Sequence, residues 1–106
     1  MMFTSDFKLS SDSYKIYDRD DRVELNIQCA GLTKQDIQIK TRPYKRRGCN
    51  SKLYVTLPDT PFSNSREFLF VVGEDYKIKD IKANVRDGIL YIHIPKENTL
   101  SNVQIE

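Results

Sequence analysis

At 106 residues, with 39% hydrophobic and 30% charged side chains, the chain has the length and composition of one globular domain, large enough for a core and too short for two. A net charge of +2 is too small to indicate a nucleic-acid partner, and no apolar run approaches the roughly 18 residues needed to cross a bilayer. The start, Met1-Met2-Phe3-Thr4-Ser5-Asp6, lacks the basic flank and apolar stretch of a secretory signal, so a cytoplasmic setting is expected.

In chain order, residues 1–13 form a short arm that carries Met2, Phe3, Phe7 and Leu9. Tyr14 to Asp18 reads as an opening strand. Val23, Leu25, Ile27 and Cys29 then alternate with Glu24, Asn26 and Gln28, the pattern of a strand with one buried face. Gly31 turns the chain, Thr33 to Asp36 has room for one helical turn, and Ile37 and Ile39 restart the alternation. The basic run Lys45-Arg46-Arg47 falls between strands and reads as a solvated turn rather than a phosphate patch. Leu53, Val55 and Leu57 make the next strand, stopped by Pro58. Phe68, Phe70 and Val72 follow, then Ile81, Ala83 and Val85, then Leu90, Ile92 and Ile94, with Asp87-Gly88 matching a two-residue hairpin turn. Short strands at this spacing predict an all-β, immunoglobulin-like antiparallel sandwich over residues 14–96.

Some strands are apolar on both faces. Phe68-Leu69-Phe70-Val71-Val72 is apolar throughout, and Ile89 and Tyr91 oppose Leu90 and Ile92. Either a second copy covers the outside or the chain's own arm does.

No catalytic constellation emerges. His93 is the only histidine, and the alternation turns it outward with Tyr91. The four glycines are scattered, so no phosphate loop is present. Cys29 and Cys49 have no ligand spacing and read as two reduced thiols rather than a disulfide or a metal site. The acids Asp18, Asp20 and Asp21 beside Arg19 and Arg22 read as a charged turn. A binding protein is expected, not an enzyme, with no metal and no cofactor.

Residues 97–106 form a polar tether ending in Val103-Gln104-Ile105-Glu106, an aliphatic pair with no strand of its own. Together with three other segments, this ending resembles the small heat-shock proteins, the alpha-crystallin family. Val23 to Ile39 is similar to that family's strand, Gly-aliphatic turn and acidic-aliphatic restart. Ala83 followed by Gly88-Ile89-Leu90 is similar to its signature, Pro95-Lys96 stands where its last core strand ends, and Val103-Gln104-Ile105 looks like its tail motif. The departures are Ala30 and Gly73 where proline is usual, an apolar Phe68 near the place of an arginine, and only eight residues between Leu57 and Arg66, where bacterial and plant members carry a long swapped loop.

The resemblance implies an ATP-independent holdase that captures partly unfolded client proteins and self-assembles, with no nucleic acid and no membrane as partner. It implies a tail-docking groove at Ile37, Ile39, Thr41, Ala83 and Val85, with Val103 and Ile105 of a second copy as its guests. It also implies a dimer-forming strand around Arg66, Phe68 and Phe70, and client capture by Met2, Phe3, Phe7 and Leu9. Two other classes stay open, a structural subunit of a viral or other large particle and a cochaperone adaptor.

Overall fold

The computed structural model describes residues 14–61 and 63–97, together with the backbone of Thr4 and Ser5. Eight strands form two antiparallel sheets: β1 (Thr4–Ser5), β2 (Tyr14–Asp18), β3 (Arg22–Gln28), β4 (Gln38–Pro43), β5 (Cys49–Leu57), β6 (Arg66–Gly73), β7 (Lys82–Arg86) and β8 (Ile89–Pro95). One sheet has the order β1-β6-β5-β4 and the other β2-β3-β8-β7. The predicted all-β sandwich is the observed fold.

Register explains the core. Val23, Leu25 and Ile27 of β3 stand opposite Ile94, Ile92 and Leu90 of β8, while Leu53 and Val55 of β5 stand opposite Phe70 and Phe68 of β6. Because side chains alternate across a strand, each pairing sends two apolar residues to the same face. The two apolar faces meet, and all ten residues are buried. Tyr14 closes one flank from the opposite sheet, its ring edge-on to Phe68 at 5.8 Å and to Phe70 at 5.5 Å.

Turn chemistry sets the connections. Arg86 pairs with Ile89, which leaves Asp87 and Gly88 as a two-residue loop with φ of +53° and +75°, both positive as a type I′ turn requires. A Cβ at Gly88 would meet only ordinary contacts with Ala30, so the cost of Gly88→Ala lies in the backbone. It is expected to be about 1–2 kcal/mol, read as a lower urea midpoint with an unchanged fold. Between β3 and β4, Asp36 accepts hydrogen bonds from the Thr33 backbone N–H at 2.9 Å and from its hydroxyl at 3.1 Å. This makes a tight turn at the place expected for a helical turn. The one helical turn among the described residues is instead the 3₁₀ segment Ile78–Asp80.

The end of β8 is clamped from two sides. Tyr76 and Lys96 form an isolated bridge, the Lys77 N–H donates to the Pro95 carbonyl at 2.8 Å, the Lys96 N–H to Asp21 at 2.9 Å, and the Glu97 N–H to Asp75. The Lys96 ammonium also pairs with Asp18 at 2.6 Å.

Three groups, Tyr76 and Lys96 at this end and Cys29 beside the β7–β8 turn at the other, bind their protons more tightly in the folded chain than outside it. Burial pushes the Cys29 thiol up, against the opposing charge of Arg66. Burial, helped by Asp18, pushes the Tyr76 phenol up, and the hydrogen bond to Asp18 raises the Lys96 ammonium. The unfolded chain therefore releases these protons first as pH rises. The stability they contribute is complete below the ordinary thiol value of about 8.5 and is lost progressively through the raised folded values. The urea midpoint should hold between pH 7 and that onset and then fall, the first part of the fall being absent in Cys29→Ala. A flat profile across the alkaline range would contradict this.

Candidate functional site

Among the described residues each sheet ends in an unpaired edge on the same side of the sandwich, β4 in one and β7 in the other. Ile37, Ile39 and Val85 there are half-buried and packed against the core. Their neighbour in β7 is Ala83, whose methyl group fills little space. The result is a depression of about 210 Å³ lined by Ile37 and Ile39 on one side and Ala83 and Val85 on the other, with Leu90 as a floor residue and Lys34 and Asn84 also lining it. Lys34 is the only charged residue in this lining. Apolar walls between two free strand edges suit an extended segment, with backbone pairing along an edge and alternate apolar side chains seated in the hollow.

Thr41 does not belong to this hollow. It lies two residues beyond Ile39, about 7 Å further along β4, and instead lines a separate cavity of about 330 Å³ with Gln38, Lys40, Arg42, Tyr54 and Thr56. The lining residues Lys34 and Asn84 carried no sequence signal, since neither is part of an apolar alternation.

Arg66, Phe68 and Phe70 open and carry β6. Phe68 and Phe70 are 1% and 0% exposed, so their rings serve the core of their own chain. At Phe70 and Val71 the backbone is paired with Ser5 and Thr4 of β1. Thr4 and Ser5 thus extend the sheet at the β6 edge. Val71, on the outward face, is 8% exposed. Gly88, Ile89 and Leu90 form the β7–β8 turn and the start of β8. Met2, Phe3, Phe7, Leu9, Val103 and Ile105 lie outside the described residues.

His93 faces outward as expected and pairs across the sheet with Glu24, its Nδ1 lying 3.9 Å from the carboxylate. Arg22 and Arg19 reach the same carboxylate at 2.7 and 3.7 Å, so Glu24 is the centre of a cation cluster rather than half of an acid–base pair. Cys29 and Cys49 are free thiols. The run Lys45-Arg46-Arg47 lies in the β4–β5 turn, where Arg46 and Lys52 both sit over the Tyr44 ring, at 5.5 and 4.3 Å. Among the described residues no group of three acidic, histidine or cysteine side chains could hold a metal ion, and no helix is long and apolar enough to cross a membrane.

Solved structures share this architecture. A small heat-shock protein from Xylella fastidiosa superposes with a TM-score of 0.65 at 19% identity, over 88% of this chain and 92% of that one. The fold is that of the small heat-shock proteins. HSP18.5 from E. histolytica matches with a TM-score of 0.64 at 18% identity, over 88% and 94% of the two chains. Heat shock protein 16.0 from Schizosaccharomyces pombe matches with 0.59 at 18%, over 96% and 88%. No model of a protein family matches the sequence, and no curated protein does. The alpha-crystallin-type sandwich is therefore established here by shape.

Proposed function

We propose that this chain is an ATP-independent holdase of the small heat-shock type, which keeps partly unfolded proteins from aggregating and assembles through its own carboxyl-terminal tail. In this reading residues 1–13 are an arm, 14–96 the sandwich and 97–106 the tail, and the protein works in the cytoplasm, in keeping with its two free thiols.

The observation that carries the proposal is the apolar depression between the free edges of β4 and β7. It offers a seat to an aliphatic pair, and the sequence supplies such a pair in Val103 and Ile105. A single docking is weak. Burying two aliphatic side chains gains roughly 3–6 kcal/mol in gross terms, and ordering the tether costs about 1 kcal/mol per residue. Repetition around an oligomer makes such contacts effective while each stays exchangeable. That exchange would let apolar surface become available to a client and be covered again. Met2, Phe3, Phe7 and Leu9 add adaptable apolar side chains for capture.

The test is light scattering of a heat-aggregating protein. Near-stoichiometric amounts of the chain should suppress turbidity without nucleotide. Undiminished turbidity from a chain that still assembles would favour a structural subunit of a larger particle, and a stable complex with a folded chaperone in place of self-assembly would favour a cochaperone adaptor.

A further inference from the structure

Where β3 faces β6, away from the β4 and β7 edges, the Arg66 Nε has no hydrogen-bond partner among the described residues. Arg66 opens β6 on the same face of the strand as Phe68 and Phe70, and its Nε is buried with no hydrogen-bond partner. Among the described residues no carboxylate pairs with its guanidinium. It lines a cavity of about 430 Å³ together with Gln28, Ala30, Ser63 and Asn64. No acidic residue stands in that lining, so its one formal charge is positive. Cys29, close enough to feel Arg66, is held protonated by burial and supplies no counter-charge.

A buried N–H without an acceptor is costly, even on a side chain that, like Arg66, is only half-buried as a whole. The planar fork of an arginine is matched by the two oxygens of a carboxylate, which it grips through parallel hydrogen bonds. Gln28, Ser63 and Asn64 bring neutral amide and hydroxyl groups to the same cavity. Its volume exceeds that of a lone ion and leaves room for the atoms that carry the acid.

We infer that the cavity between the end of β3 and the start of β6 is a carboxylate-binding site, with the Arg66 guanidinium as its receptor and Gln28, Ser63 and Asn64 as supporting hydrogen-bond partners. The site is separate from the depression proposed for the tail, and the inference stands whether or not the chain is a holdase.

The experiment is a titration of the ¹⁵N-labelled full chain with succinate, with a blocked glutamate amide and with inorganic phosphate, at constant ionic strength. Saturable shifts are expected at the Arg66 Nε–H and at the backbone amides of Gln28, Ser63 and Asn64. Succinate alone producing them marks a free acid as the ligand, and the blocked glutamate doing so marks an acid carried on a peptide. Arg66→Gln should abolish the shifts, and Arg66→Lys, which keeps the charge but loses the fork, should weaken them about tenfold. Wild-type shifts that are absent, lie elsewhere or favour phosphate would overturn the inference. So would binding that emerges only in the Asp6→Asn, Asp12→Asn double variant, because the chain's own arm would then be the occupant.

Discussion

Phe68→Ala is expected to cost about 3–5 kcal/mol of stability, a large part of the roughly 5–15 kcal/mol that holds a domain of this kind together. Phe68 is 1% exposed, stacks on Phe70 with ring centroids 6.2 Å apart and receives the edge of Tyr14 from the other sheet. Removing the ring leaves a void that the two sheets cannot close, since both are tied by their own ladders. With a urea dependence of about 1–3 kcal/mol/M, the unfolding midpoint should drop by about 1 M or more. Glu67→Ala, at the exposed position next to it, should stay within about 0.5 kcal/mol of the parent chain. Equal midpoints for the two variants would mean that the β5–β6 face is not the centre of the core.

The second large effect concerns assembly. Changing Val103 and Ile105 together to Gly should reduce the solution mass toward a small building block while the far-ultraviolet signature of the sandwich persists, because the core of the two sheets is built from residues between Val23 and Ile94. Ala83→Glu should act in the same direction from the other partner, placing a longer charged side chain where the depression needs space. Multi-angle light scattering reads both. Mass unchanged in both variants would remove the tail from the assembly mechanism, and mass unchanged in Ala83→Glu alone would place the docking elsewhere.

Alternation made most of the sandwich readable in advance. Val23, Leu25 and Ile27, or Leu53, Val55 and Leu57, must lie on one face of a strand whatever surrounds them. Asp87-Gly88 was equally legible, because few residue pairs tolerate two successive positive φ values. What stayed hidden depends on partners distant in the chain. Nothing local says that Thr4 and Ser5 pair with β6, or that Tyr76, in a polar turn, is buried where the ends of several segments meet. Thr41 shares the parity of Ile39, and the resemblance implied it as a groove residue. The strand carries it past the hollow, and parity alone cannot show where a depression ends. The unmet hydrogen-bonding need of Arg66 is a property of its surroundings and left no mark in the sequence.

The clamp on the end of β8 sets how far the final residues can travel. Glu97 is held against Asp75, and Val103 lies six positions further along the chain, a leash of about 20 Å at full stretch. The hollow flanks the beginning of β8 near Leu90, and the five steps from there to Pro95 already take up about 17 Å before any sideways distance is counted. A leash of this length would have to be drawn taut to reach its own hollow, whereas a neighbour can be brought alongside. Lengthening it with a few glycine and serine residues would relax that constraint and let each copy satisfy itself, so the brevity of the segment, more than the strength of its grip, would decide that copies are joined at all.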